Sequence, residues 1–252
     1  MALVVSVSGK GGVGKTVVTA LLLKLLMGKG SILAVDADPA TNLPEVLGVR
    51  VEKTVGIVVD ELKRKIQRGD LASTVSKEGV LEAWIYEVLV ETEGFDLLAM
   101  GRTEGEGCYC SVNYMLAKIV DSLSGNYDYT LMDMEAGLEH LSRRTDRNVD
   151  LMLIVTDPSK MGLETARRIK ELTQEVHIEV KRIALIGNNF PQGLDRRFGE
   201  EASRIGLELA GSIPPDPKIM EYNIQGKPLL ELPIDSPSLK ALQVIAEKLK
   251  II

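Results

Sequence analysis

The stretch that decides the fold is LVVSVSGKGGVGKT, residues 3–16. It begins with an apolar run, Leu3–Ser8, and continues as a glycine-rich segment, Gly9–Thr16. A helical pattern, Val17–Met27, follows directly. Strand, glycine-rich turn and helix in this order form the first half of a β–α–β unit, and such units build parallel sheets.

Apolar runs alternate with helical patterns along the rest of the chain, and most of the runs are continuous, as in parallel strands that are covered on both faces. We expect strands at Leu3–Ser8, Ser31–Val35, Phe95–Met100, Tyr129–Met132, Leu151–Val155, Ile183–Gly187 and Glu208–Ser212. We expect helices at Val17–Met27, Thr54–Gln67, Leu163–Val176 and Pro237–Leu249. The sequence therefore predicts an α/β fold, a doubly wound and mostly parallel sheet flanked by helices, in one domain spanning residues 1–252. Residues 48–94 carry the weakest patterns.

The bulk composition is that of an ordinary globular protein, with 45% hydrophobic and 26% charged residues. The net charge of -6 disfavours general binding to nucleic acid or to an anionic membrane. The first residues lack the pattern of a signal peptide, and no apolar run approaches the roughly 20 residues that span a bilayer. We therefore expect a cytoplasmic protein with neither nucleic acid nor membrane as a partner.

The segment Gly9–Thr16 has the spacing of a phosphate-binding P-loop, and it lies between a predicted strand and a predicted helix, as that motif requires. Its glycines allow consecutive backbone N–H groups to turn towards a phosphate chain. Lys15 would supply positive charge to the β- and γ-phosphates, and the Thr16 hydroxyl would bind Mg²⁺. The sequence thus predicts ATP or ADP with Mg²⁺ as the ligand. The binding residues are Gly9, Gly11, Gly12, Val13, Gly14, Lys15, Thr16 and Val17.

Lys10, directly after the first glycine, is unusual for a P-loop. With this lysine, the segment resembles the deviant Walker A motif of the MinD/ParA and nitrogenase iron-protein superfamily. The resemblance implies a nucleotide-dependent homodimer in which Lys10 reaches the nucleotide of the partner subunit and acts in catalysis with Lys15. Val17 stands where these proteins usually carry a second hydroxyl residue, and we expect this difference to remove one contact to the α-phosphate.

Two acidic segments follow apolar strands and therefore lie at the ligand edge of the predicted sheet. The resemblance identifies the first as switch I, in which Asp38 orients the attacking water and Asp36 helps to hold the magnesium shell. It identifies the second as Walker B and switch II, in which Asp133 holds Mg²⁺ and Gly137 offers its N–H to the γ-phosphate. Taken alone, the pair Asp38-Pro39 is also typical of a turn, and Asp133 is also typical of a helix cap.

Two late loops are candidates for binding the base. Asn188 follows a predicted strand, and superfamily members place an asparagine against the adenine edge at such a position, where an amide offers one donor and one acceptor. Pro214, Pro215 and Asp216 follow the next strand and resemble the loop that covers the purine. Turn prolines and capping asparagines are also common where no ligand binds.

The chain has two cysteines, Cys108 and Cys110. Residues i and i+2 of an extended chain point the same way, so both sulfurs could face one ion, and a two-fold dimer would supply four thiolates. Four thiolates suit Zn²⁺, nickel or an iron–sulfur cluster. A redox-active pair and two inert thiols remain as alternatives.

The segment Gly107–Cys110, together with Asp133–Arg144, resembles the CooC-type carbon monoxide dehydrogenase maturation factors. The resemblance implies a cytoplasmic ATPase that assists nickel insertion into carbon monoxide dehydrogenase or acetyl-CoA synthase. It also implies a homodimer with Zn²⁺ or Ni²⁺ held between two Cys-x-Cys pairs. Glu139 and His140 lie beside switch II, where we expect them to be polar helix residues rather than metal ligands.

Two further functional classes compete with this hypothesis. One is a MinD/ParA-type positioning or partitioning ATPase that binds membrane or DNA. Residues 245–252 end the last helical pattern without a basic amphipathic tail, which disfavours membrane binding. The other is an electron-transfer protein like the nitrogenase iron protein, which holds its cluster with two well-separated cysteines, one of them near switch II. The cysteine spacing disfavours this class.

Overall fold

A computed structural model of the chain describes residues 2–68, 77–102, 110–135, 149–175, 180–191 and 193–252. The strands are β1 (Leu3–Gly9), β2 (Ile32–Ala37), β3 (Leu89–Glu91), β4 (Asp96–Ala99), β5 (Tyr129–Met134), β6 (Val149–Thr156), β7 (Val180–Asn188) and β8 (Leu209–Ile213). The helices are α1 (Lys15–Leu26), α2 (Asn42–Leu47), α3 (Val55–Arg68), α4 (Lys77–Val88), α5 (Cys110–Leu123), α6 (Lys160–Glu175), α7 (Asp195–Arg204), α8 (Pro217–Gln225) and α9 (Pro237–Lys248).

The strands form one sheet in the order β3-β4-β2-β5-β1-β6-β7-β8. All neighbours are parallel except β3, which runs antiparallel to β4 at the edge. The predicted α/β fold with a mostly parallel sheet is therefore confirmed. Each of the seven predicted strands is present with slightly different ends, whereas β3 lies in the weakly patterned region and was not predicted.

The strand order reverses at β1. The chain fills the positions on one side of β1 with β2 to β5 and those on the other side with β6 to β8. Such a reversal leaves a crevice at the carboxyl ends of the strands, because the connections on either side diverge from it. The glycine-rich segment follows β1 and therefore lies at this crevice.

Helices cover both faces of the sheet. On one face the apolar side of α1 buries Leu21, Leu22 and Leu23 completely in a cluster with β1, β5 and α9. On the other face α3 and α5 pack against β2 and β4, and α6 packs against β6. Covering both faces explains why the strands read as continuous apolar runs. Among the residues described, no helix is long and apolar enough to cross a membrane.

Replacing Leu22 by alanine tests the importance of the α1 interface. Leu22 is fully buried, so Leu22→Ala should lower the free energy of unfolding by about 2–5 kcal/mol through lost burial and a residual cavity. Urea denaturation measures this loss. Val244 on α9 is 64% exposed, and Val244→Ala should change stability by less than about 0.5 kcal/mol. Equal losses in the two variants would contradict the packing described.

Candidate functional site

The glycine-rich segment forms a tight loop between β1 and α1. Gly14 has a φ of 90°, and a Cβ added there would lie 2.3 Å from the Asn188 Nδ2 atom. Gly9 has a φ of 149°, and a Cβ added there would lie 2.2 Å from the Val155 carbonyl oxygen. Both positions therefore require glycine. At Gly12 an added Cβ would meet no atom within 4 Å, so this part of the loop borders open space.

Two contacts hold the loop in shape without a ligand. The side chain of Asn188 donates a 2.8 Å hydrogen bond from Nδ2 to the carbonyl oxygen of Val13. The Lys15 ammonium donates a 3.3 Å hydrogen bond to the carbonyl oxygen of Lys10. Lys15 also lines the cavity above the loop. Contacts within the chain thus determine the shape of the loop.

Lys10 makes a contact within its own subunit. Its ammonium lies 3.8 Å from a carboxylate oxygen of Asp157, just beyond the end of β6, and both side chains are about one-third exposed. An exposed pair of this kind contributes about 0–1 kcal/mol, so it holds Lys10 only weakly. The contact of Lys10 with a partner's nucleotide stays a prediction.

Asp36 is completely buried at the end of β2. Its carboxylate oxygens accept hydrogen bonds from the backbone N–H groups of Asp38, at 3.0 Å, and Leu43, at 2.9 Å. Burial raises the pKa of Asp36 to about 7, against the opposing effect of these two hydrogen bonds. Between the two bonded positions, Thr41 has a φ of 55°, which β-branched residues rarely adopt. One carboxylate therefore holds the whole segment from Asp38 to Leu43.

Asp133 lies next to Asp36 in the register of β5 and β2 and is also buried. Burial raises the pKa of Asp133 to about 6, although a hydrogen bond from Thr16 and the nearby charge of Lys15 lower it. The hydroxyl of Thr19, one turn further along α1, lies 3.4 Å from Asp133 Oδ1. The pair of carboxylates beside the Thr16 hydroxyl is an oxygen donor set that fits Mg²⁺.

A cavity of about 610 Å³ opens above the loop, a size typical of small-molecule sites. Gly11, Gly12, Lys15 and Thr16 line it from the loop, and Asp38 lines it from switch I. The structure thus brings most of the predicted phosphate-binding residues and the predicted water-orienting Asp38 to one cavity, whereas Gly9 and Val13 do not line it. Glu135, Asn42, Glu45, Asn223 and Lys227 also line the cavity, and sequence reasoning missed them.

The two loops predicted to bind the base have contacts within the protein. Asn188 is buried and uses one amide N–H for Val13, which leaves its second N–H and its oxygen. Asp216 caps α8 by accepting a hydrogen bond from Lys218 N at 3.0 Å, and its other oxygen accepts one from the Ser236 hydroxyl at 2.5 Å. Asp216 therefore has a structural role that sequence reasoning missed. Base contacts by Asn188, Pro214, Pro215 or Asp216 stay predictions.

The predicted thiolate site is only partly described. Cys110 is the first residue of α5. Cys108 and Gly137 lie outside the described residues, as do Glu139 and His140. Within the described ranges, no group of three or more His, Cys, Asp or Glu residues is placed to hold a metal ion.

A glycine loop at the reversal of strand order, followed by a helix and flanked by two buried carboxylates, defines a P-loop nucleotide-binding protein. Residues 4–229 match the model of the family described as CobQ/CobB/MinD/ParA nucleotide binding domain. The chain belongs to this family, and it is an ATPase.

Three relatives illustrate the range of the family. An ATP-binding protein of Methanocaldococcus jannaschii is 48% identical over 248 residues, which cover 98% of each chain. The carbon monoxide dehydrogenase accessory protein CooC of Rhodospirillum rubrum is 31% identical over 234 residues, covering 88% of this chain and 87% of that one. The structure of the septum site-determining protein MinD of Pyrococcus horikoshii with Mg-ADP is 26% identical, with a TM-score of 0.68, covering 99% of this chain and 96% of that one.

Substituting Gly14 should weaken nucleotide binding. In Gly14→Ala the new Cβ would collide with the Asn188 amide at a backbone angle that alanine disfavours, so the loop must move. We expect the affinity for Mg·ADP, measured by titration calorimetry, to fall at least tenfold. Gly125→Ala is the matched control, because a Cβ at Gly125 meets nothing within 4 Å. Unchanged affinity in Gly14→Ala would show that the loop is not the phosphate site.

The two carboxylates should release protons when Mg²⁺ binds. Their pKa values are raised to about 7 for Asp36 and about 6 for Asp133, so at pH 6 Asp36 is mostly protonated and Asp133 about half protonated, whereas Mg²⁺ binding requires the ionised forms. Titration of premixed Mg·ADP at pH 6, in buffers of different ionisation enthalpy, should show net proton release that fades by pH 8.

The variant Asp133→Asn is the control for this measurement. It removes one titrating group and also the negative charge that raises the pKa of Asp36, so proton release at pH 6 should decrease. Through these two groups alone, the contribution to folding stability decreases as the pH rises from about 4 to about 7, because both carboxyls bind protons more tightly in the folded state than in the unfolded chain. Proton uptake at pH 6 would contradict the assignment.

Proposed function

We propose that this ATPase is a maturation factor that assists nickel insertion into carbon monoxide dehydrogenase or acetyl-CoA synthase. In this proposal two copies of the chain hold a Zn²⁺ or Ni²⁺ ion between their Cys108 and Cys110 thiolates. The 31% identity to the CooC accessory protein over 88% of the chain supports the proposal, as does the Cys-x-Cys pair in the sequence.

The contact between Asp36 and the end of β4, where the chain leaves towards the cysteines, is the observation that carries the proposal. β4 lies next to β2, so the connection from β4 to α5, which contains Cys108, starts beside switch I. The backbone N–H of Met100, just after β4, donates a 2.8 Å hydrogen bond to the carbonyl oxygen of Asp36. The carbonyl oxygen of Met100 in turn accepts a 2.8 Å hydrogen bond from Gly56 of α3.

The backbone thus connects the nucleotide site to the start of the cysteine segment. Asp36 is one of the two carboxylates predicted to hold Mg²⁺. Met100 lies near the end of the described range 77–102, from which the chain continues towards Cys110. A shift of switch I on hydrolysis would be transmitted to the thiolates through this contact. Such a link would make the affinity of the cysteine pair for Zn²⁺ or Ni²⁺ depend on whether ATP or ADP is bound.

The chemistry that we assign to the site is in-line hydrolysis of ATP. Asp38 accepts a hydrogen bond from the attacking water, whose oxygen bonds to the γ-phosphorus while the bond to the β,γ-bridging oxygen breaks. Lys15 and the backbone N–H groups of Gly11 and Gly12 bind the phosphate oxygens on which negative charge develops. Mg²⁺, when bound beside Thr16, Asp36 and Asp133, would neutralise further phosphate charge.

The four thiolates require a dimer. One chain offers two sulfurs, and a two-fold interface presents the same pair twice, which completes the tetrahedral set preferred by zinc. In the proposed closed dimer, Lys10 leaves Asp157 and contacts the nucleotide of the partner subunit. The weak, exposed contact between Lys10 and Asp157 is compatible with such a change of partner.

A MinD/ParA-type positioning or partitioning ATPase is the second candidate, favoured by the likeness of the whole chain to the Pyrococcus horikoshii MinD. That function would leave the Cys-x-Cys pair without a role. Sedimentation with anionic liposomes and a DNA shift assay at moderate salt distinguish the two. Nucleotide-dependent binding in either assay would favour the second candidate.

Equilibrium dialysis against Zn²⁺ or Ni²⁺ tests the favoured function. We expect one ion per two chains in the presence of a non-hydrolysable ATP analogue, and loss of this ion in Cys108→Ser combined with Cys110→Ser. The double variant should still bind and hydrolyse ATP, because neither thiol belongs to the nucleotide site.

Lys15→Ala is the complementary control. It should impair nucleotide binding, and metal binding should then no longer respond to the ATP analogue. Unchanged metal binding in the double cysteine variant would overturn the proposed metal site, and would leave the ATPase activity as the established property.

A further inference from the structure

Thr19 is the one polar residue among the buried positions of α1. The other buried residues of this helix are all apolar: Val18, Ala20, Leu21, Leu22, Leu23 and Leu26. Thr19 itself is completely buried. A hydroxyl in an apolar environment costs free energy unless it has a hydrogen-bond partner, so the contacts of Thr19 indicate what the side chain does.

The Thr19 hydroxyl has two acceptors within reach. Its oxygen lies 3.0 Å from the carbonyl oxygen of Lys15 and 3.4 Å from Oδ1 of Asp133. A hydroxyl has one proton to donate, so it serves one of these acceptors at a time. The Lys15 carbonyl does not depend on this proton, because in an α-helix it accepts the backbone N–H four residues further on, which is that of Thr19. The hydroxyl can therefore turn fully to Asp133 without leaving a carbonyl group unpaired.

Asp133 connects Thr19 to the nucleotide cavity. Thr16 lines the cavity, and its hydroxyl is a hydrogen-bond partner of Asp133. Asp133 and Thr19, both in the described part of the chain, are buried and do not line the cavity. Thr16, Asp133 and Thr19 thus form a series of contacts that leads from the cavity into the core. Thr19 contacts the carboxylate from the core side, where it leaves the cavity free.

We propose that Thr19 is a positioning residue of the magnesium site, whose hydroxyl turns from the Lys15 carbonyl to Asp133 when Mg²⁺ is bound. An ionised carboxylate is the better acceptor, since hydrogen bonds to charged groups are roughly twice as strong as those between neutral groups. The donated proton fixes Oδ1 and leaves the remaining lone pairs of Asp133 to Thr16 and the ion. This inference rests on the placement of Mg²⁺ at Asp133 under the proposed function, and it is independent of the cysteines.

Binding of Mn²⁺, a paramagnetic substitute for Mg²⁺, tests this inference. Thr19→Val removes the hydroxyl, and we expect it to weaken Mn²⁺ binding to the ADP complex about tenfold or more, as the loss of an outer-shell partner of a metal site does. Electron paramagnetic resonance of the free Mn²⁺ measures this affinity. ADP binding without a divalent ion, measured by titration calorimetry in EDTA, should be unchanged. Thr19→Ser keeps the hydroxyl and should restore most of the Mn²⁺ affinity.

Thr173→Val on α6 is the matched control. Thr173 is also buried, and its hydroxyl donates a 2.7 Å hydrogen bond to the carbonyl oxygen of Lys170 in the preceding turn of its helix. It does not line the described walls of the nucleotide cavity. Thr173→Val should therefore change neither Mn²⁺ binding nor metal-free ADP binding. A loss of Mn²⁺ affinity equal to that of Thr19→Val would overturn the inference, because it would show a general effect of removing a buried hydroxyl.

Asp133→Asn separates a failure of this inference from a failure of the magnesium assignment. It should itself weaken Mn²⁺ binding, and adding Thr19→Val should then cause little further loss, because the two side chains act as a pair. Unchanged Mn²⁺ binding in Asp133→Asn would overturn both the assignment and the inference. Weakened binding in Asp133→Asn with unchanged binding in Thr19→Val would overturn the inference alone. Equal losses of Mn²⁺ and metal-free ADP binding in Thr19→Val would also overturn it, since the hydroxyl would then act on the shape of the glycine loop.

Discussion

Two carboxylates buried side by side, Asp36 and Asp133, are the constraint on which the nucleotide site depends. The parallel register of β2 and β5 places them together near the carboxyl ends of their strands, and burial raises the pKa of both. Such a pair is costly to ionise unless a cation is present. The fold thus places two carboxylates that fit a metal ion beside the loop predicted to bind the phosphates, and the hydroxyls of Thr16 and Thr19 orient Asp133.

The sequence predicted those parts of the molecule whose chemistry is local. Gly9–Thr16 carries its glycines, lysine and threonine within eight consecutive positions, and the structure shows steric reasons for Gly9 and Gly14. The strands were predictable because burial on both faces makes each one a continuous apolar run. β3 was missed since it has only three residues and lies on the edge, where a strand needs little hydrophobic pattern.

The parts that were missed depend on contacts between distant segments. Asp216 looked like part of a ligand loop, yet Ser236 and the start of α8 occupy its carboxylate. Glu45 and Lys227 are unremarkable surface residues in the sequence, and only the packing of α2 near the end of α8 brings them to one cavity. The roles predicted for Lys10 and the cysteine pair require a second copy of the chain, so they rest on resemblance and symmetry.

The hydrogen bonds from Asp38 and Leu43 to Asp36 have a consequence for how the site is dissected by mutagenesis. Thr41 stays in its disfavoured backbone conformation between these two bonds, so the path of switch I depends on the same side chain that is predicted to help hold Mg²⁺. Any replacement of Asp36 would therefore change the predicted ion site and the path of switch I together. Its effect on the rate of hydrolysis could not be assigned to either change alone. Position 133, whose oxygens contact threonine hydroxyls on α1, separates the two properties.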